Sequence, residues 1–177
     1  LVFMLAGLAF KLGAAPFHMW LRDVYQGAPA PVVLFVAAAP KIAATAMMLR
    51  VLTEALWLME ADWLQMLAVL AVASLAIGNI TAIAQSNLKR MLAYSAIAHS
   101  GFIVLGVLAG GDEGSSSAVF YVIIYALMSI GGFGALTLLA EGGRERAELP
   151  DIKGVATNNA AAAARCMPPR WHANWAL

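Results

Sequence analysis

Apolar residues in this chain come in blocks of about 20, parted by short polar or charged turns. That is the length that crosses a hydrocarbon layer of roughly 30 Å at about 1.5 Å per residue. Four blocks run uninterrupted, at 30–52, 63–85, 88–109 and 118–140. They are rich in Ala and Leu and lack the two-residue alternation of a strand, so each is expected to be a spanning helix. A fifth block, 1–26, is interrupted: it carries Lys11 among apolar residues, meets Pro16, and leads into the turn "GAPAP" at 27–31. Proline has no amide proton and its ring collides with the carbonyl four residues back, here that of Leu12. This segment should therefore form two helical pieces around a break. The expected fold class is all-α: an integral membrane bundle of about five spans, one of them broken.

Composition agrees with the pattern. Sixty-two per cent of residues are hydrophobic and 12% are charged, with a mean hydropathy of +0.79, far from a soluble domain. Lipid is then the solvent for most side chains, and no basic run suggests nucleic acid as a partner. The single cysteine, Cys166, excludes an internal disulfide. Lys89, Arg90, Arg144 and Arg146 lie at one set of span ends, while Glu54, Glu60, Asp62, Asp112 and Glu113 lie at the other. By the positive-inside rule, the loop between the third and fourth spans and the segment after the fifth should face the cytoplasm, with Arg50 a mild exception. Trp57 and Trp63 flank the acidic turn, where interfacial tryptophans are expected.

Ionisable residues inside apolar helices are costly, about 2.5–3.5 kcal/mol on insertion scales, and face a bundle interior or a hydrated cavity. Lys11 is one candidate for function; the alternative is that its long stem snorkels to an interface. Lys41 lies 11 residues after Ala30, about 17 Å into its helix and near the middle of the layer, where snorkelling is difficult. Pro40 beside it should free the Val36 carbonyl and kink the helix. Desolvated amines on neighbouring spans point to proton exchange, unless Lys41 is held permanently by a carboxylate. His18, just past the break, suits a proton relay or a structural hydrogen bond. Ser95 and His99 stand four apart on one face of the fourth span and either extend a polar route or bond helices together. Small or polar stripes (Ser74, Gly78, Thr81, Gln85; Tyr121, Tyr125, Ser129, Gly132) are expected to serve packing, as is the "GGFGA" run at 131–135. No nucleotide loop, cysteine cluster or paired histidines offers a redox centre, so electron transfer belongs to other chains.

Two long stretches, "KLGAAPFHMWLRDVYQGAPAPVVLFVAAAPKIAA" and "GNITAIAQSNLKRMLAYSAIAHSGF", resemble the antiporter-like membrane subunits of respiratory complex I, the bacterial NADH-quinone oxidoreductase. The resemblance spans residues 1–154. It implies part of an inverted-repeat proton channel in the bacterial inner membrane, driven by quinone reduction elsewhere in the complex. NADH, FMN, iron–sulfur clusters and quinone would be bound by partner subunits, with no cofactor in this chain. The other membrane subunits, the lipid bilayer and protons would be its partners. Lys11 matches the lysine of the broken helix and Lys41 the central lysine of the next, both proton-transfer residues in that family; His18 and His99 match secondary positions on its hydrophilic axis.

The resemblance also implies helices before and after this stretch, including a glutamate paired with the broken-helix lysine, so the chain reads as a fragment. Residues 155–177 ("VATNNAAAAARCMPPRWHANWAL") depart from the pattern. They are expected to be a disordered tail, with a frameshift as one explanation. Two other functions stay open: a subunit of a multisubunit cation/proton antiporter or membrane-bound hydrogenase, and an inert scaffold or truncated remnant.

Overall fold

A computed structural model describes residues 1–140 and Glu148; the expected tail, Arg144, Arg146 and Cys166 lie outside the described residues. Six α-helices account for most of it: α1 (Val2–Leu12), α2 (Met19–Gly27), α3 (Ala30–Arg50), α4 (Glu60–Ile83), α5 (Leu88–Leu108) and α6 (Gly111–Leu139). The helical stretches at 30–55, 57–83, 88–108 and 111–138 are long and apolar enough to cross a membrane, and α1 with α2 makes the broken fifth element.

The break begins earlier than Pro16. Gly13 adopts φ 76, its N–H donates to the Phe10 carbonyl at 3.1 Å, and Ala14 N–H donates to Ala9 at 2.9 Å. This pair of bonds closes a helix on a left-handed residue. Glycine ends α1, and Pro16, three residues on, keeps the helix from resuming. At Pro40, by contrast, α3 continues unbroken to Arg50 and then passes through a π-helical turn, Val51–Ala55. α6 starts seven residues before the expected 118, because "GDEGSSS" joins the helix. Asp112 and Glu113 in its first turn complement the positive end of the helix dipole.

Small residues set the packing. A Cβ on Gly78 would lie 2.6 Å from the Ala98 backbone nitrogen, and one on Gly101 would lie 3.0 Å from the Ala71 carbonyl, so α4 and α5 touch backbone to backbone. Gly106 meets Ala118 in the same way between α5 and α6. The run at 131–135 behaves otherwise: Gly131 and Gly134 face open space and Gly132 meets only the tip of Leu92. None of these glycines brings two backbones together, which corrects the expected close helix contact. Trp63 is buried with Nε1 donating to the Leu56 carbonyl at 3.1 Å, whereas Trp57 is exposed.

Two apolar clusters stack along the bundle. One gathers Leu5, Leu12, Ala44, Met48, Ile103 and Val104; the other gathers Tyr25, Ala37, Ala96, Ile97, Tyr125 and Phe133. On α3, Lys41 falls between the two sets, and on α5 so does Ser100. Charge separates by end. Lys89 Nζ donates to the Ala28 carbonyl at 3.0 Å and Arg90 Nε to Gln26 Oε1 at 2.6 Å, at one end. Glu60 and Asp112 line a common cleft with Thr53 and Trp57 at the other.

Candidate functional site

Lys41 is 2% exposed, and the buried polar side chains Thr45, Ser74 and Ser100 accompany it. A helix-borne ammonium in such surroundings must find acceptors, since an unpaired buried charge is among the costliest groups a protein can hold. Lys41 Nζ donates to the Ala96 carbonyl and to Ser100 Oγ at 2.8 Å. The Ala96 and Ser100 positions lie one turn apart on α5, so a single lysine reaches both. Among the described residues no carboxylate lies within ion-pair distance; the ion pairs Arg22–Asp23 and Arg50–Glu54 are exposed. The alternative in which Lys41 is permanently neutralised finds no partner among the described residues.

Ser100 connects this amine to the broken helix. Its hydroxyl lies 2.9 Å from the Leu12 carbonyl and 2.9 Å from that of Ala96. One proton serves one acceptor at a time, so accepting from Lys41 and donating to Leu12 joins α3, α5 and the end of α1. Ser74 plays a similar part from α4: its Oγ accepts from Ala15 N–H at 2.9 Å and lies 2.7 Å from the Leu70 carbonyl. Backbone freed by the break is thereby satisfied by side chains, as an apolar environment requires.

His99 stands beside Tyr125. Its Nδ1 lies 2.8 Å from the Tyr121 hydroxyl, and its ring centroid is 5.1 Å from that of Tyr125. Lys41 Nζ is 4.6 Å from the same Tyr125 ring centroid. A cleft of ≈ 70 Å³ lined by Ser95, His99, Tyr125 and Ser129 opens beside them, room for a small number of waters with several polar partners.

The four sequence candidates are therefore not all gathered. Lys41 and His99 converge on Tyr125. Half-buried His18 lies apart, on a cleft with Arg22, Asp23 and Tyr94. Lys11, though next in sequence to Leu12, is exposed. Ser100 and Tyr125 carry more of the site than sequence reasoning assigned them. A hydroxyl adjacent to His99 and a tyrosine four residues beyond Tyr121 were the available signals. Among the described residues no group of three His, Cys, Asp or Glu side chains could hold a metal ion.

A family described as NADH:quinone oxidoreductase/Mrp antiporter, transmembrane, matches residues 1–167. The chain belongs to this NADH:quinone oxidoreductase/Mrp antiporter family. Within it, the chain is 59% identical over 155 residues to the NADH-quinone oxidoreductase subunit N of Thiobacillus denitrificans, covering 88% of this chain and 32% of the relative. To the Coxiella burnetii subunit N it is 54% identical over 159 residues, covering 90% and 33%. The chain thus spans about a third of the length of the curated relatives it matches. Among solved structures, respiratory complex I from Thermus thermophilus is similar with a TM-score of 0.65 and 41% identity, over 76% of this chain and 29% of that one. The Mrp complex of Dietzia sp. shares the fold, with a TM-score of 0.72 at 22% identity, over 78% and 26%. The family match covers the broken element and the helices that follow it.

Proposed function

We propose that this chain is part of a proton-translocating membrane subunit of bacterial NADH-quinone oxidoreductase, a multi-pass protein of the inner membrane, and that Lys41 is its protonatable station. The observation that carries this reading is the Lys41 environment: an amine buried between two apolar clusters, held by one carbonyl and one hydroxyl, with no described carboxylate to fix its charge. Such a group can lose a proton to a neighbour and regain one without breaking an ion pair. His99 is the neighbour: an imidazole accepts a proton on one nitrogen while the other keeps its bond, here Nδ1 to Tyr121. Lys11 and His18 are further stations along the axis. Lys11 is a proton-transfer residue at the break, and His18 is a secondary relay beyond it.

Similarity to subunit N relatives at 51–59% identity supports the oxidoreductase. The redox step then lies outside this chain: flavin, iron–sulfur centres and quinone belong to partner subunits, and this subunit contributes proton movement alone. Because the family also takes in Mrp antiporters, a cation/proton antiporter subunit is the second reading. Co-purification separates the two, since only the first predicts partners that oxidise NADH.

The decisive test is Lys41→Ala in the full-length subunit within the assembled complex. NADH-driven proton uptake into vesicles should fall by an order of magnitude or more, while NADH oxidation by an artificial acceptor is unchanged. Wild-type proton uptake in this variant would mean that Lys41 is not a station and would favour an inert scaffold.

A further inference from the structure

We propose that Tyr125 is a positioning residue for the Lys41 station: its ring face holds the charged ammonium where no described carboxylate does, and it neighbours both Lys41 and His99. This rests on the proton-transfer reading of Lys41. The geometry has three independent parts. Lys41 Nζ lies 4.6 Å from the Tyr125 ring centroid, within the roughly 6 Å over which a cation is attracted to an aromatic face. The His99 ring is 5.1 Å from the same ring, inclined at 50°, so one aromatic contacts both candidate groups. Tyr125 is itself only 4% exposed and is buried in the apolar cluster that also holds Phe133 and Tyr25.

The physical logic concerns selectivity between charge states. A carboxylate would bind the ammonium so strongly that release of its proton would leave an unpaired buried anion. A ring quadrupole attracts the ammonium more weakly and costs little when the amine is neutral. With Ala96 and Ser100 supplying directional acceptors, Tyr125 adds attraction that disappears on deprotonation without leaving a stranded charge. The groups facing Lys41 are His99 from α5 and Tyr125 from α6, with Tyr25 of α2 beside Tyr125. α1 presents the Leu12 carbonyl through Ser100, the buried polar side chain of α4, Ser74, is uncharged and bonds Ala15 N–H, and Lys11 is exposed.

The experiment uses the full-length subunit in the intact complex, with NADH-driven proton uptake measured against pH. Tyr125→Phe keeps the ring and should retain uptake within about twofold. Tyr125→Leu removes it, and the alkaline limb of the profile should move about one pH unit toward acid, because the ammonium then persists only at lower pH. A ring-fluorinated phenylalanine at position 125 has nearly the shape of phenylalanine but a weakened ring face. It should shift the limb in the same direction, and it decides the matter if the leucine variant fails to assemble. An alkaline limb that does not move on fluorination overturns the proposal, as does a Tyr125→Phe variant as impaired as Tyr125→Leu. If Lys41→Ala abolishes uptake while these variants behave as wild type, the station stands and only the Tyr125 role falls.

Discussion

Ser100 Oγ sits 2.8 Å from Lys41 Nζ and 2.9 Å from the Leu12 carbonyl, tying a buried amine on one helix to the cut end of another through a single hydroxyl. A small side chain at that point does what a backbone hydrogen bond would do in an unbroken helix. It also places an exchangeable proton between the amine and the break.

Ser100→Ala removes an acceptor from the lysine and the donor from Leu12 together. Leaving buried partners unsatisfied costs about 1–3 kcal/mol, so the bundle should lose that much stability and proton uptake should fall several-fold. Thermal unfolding and vesicle assays of the full-length complex measure the two. Full uptake in this variant would show that the hydroxyl is structural alone.

Lys11→Ala separates function from folding. Lys11 is exposed, and exposed substitutions without partners stay within about 0.5 kcal/mol. Stability of the described bundle should be unchanged while proton uptake drops markedly. An unaltered uptake would support the interfacial, snorkelling lysine instead.

Gly78→Ala and Gly131→Ala should differ although both glycines are helical. The first forces a methyl to within 2.6 Å of the Ala98 nitrogen, pushing α4 from α5 at a cost of about 1–3 kcal/mol. The second meets no atom within 4 Å and trades a flexible residue for a helix former, neutral or stabilising by up to about 1 kcal/mol. Melting of the two variants side by side checks the order; equal losses would rule out the close α4–α5 contact.

Lys89→Met should exceed Arg90→Met in its effect. Lys89 is 4% exposed and donates to Ala28, just past the end of α2, so methionine keeps the stem but strands the carbonyl at about 1–3 kcal/mol. The Arg90–Gln26 bond is exposed and should be worth less than about 1 kcal/mol. Protease cleavage within the 27–31 turn, faster in the Lys89 variant, reports the difference.

The spans and the break were legible in the sequence because each depends on a local rule. Apolar length sets a spanning helix, and Gly13 with Pro16 permits only a helix end. The exact start of α6 was not legible: "GDEGSSS" reads as loop by composition, yet dipole complementarity at its acidic first turn extends the helix.

Lys41 was found from depth alone, because charge in the middle of an apolar helix is costly wherever its side chain points. Its partners required the fold. Periodicity places Ser95 and His99 on one helix face and Tyr121 and Tyr125 on another, but it says nothing about which faces meet. The small residues at Gly78, Gly101 and Gly106 bring α4, α5 and α6 close, and Ser100 and Tyr125 then reach an amine that chain order leaves 59 and 84 positions away. By itself the sequence determined that the chain lies in a membrane, where it breaks and which charges cannot face lipid, all properties of a residue and its near neighbours. Only the tertiary structure decided that, among the described residues, a hydroxyl and an aromatic face rather than a carboxylate surround Lys41, because that depends on how helices distant in sequence pack.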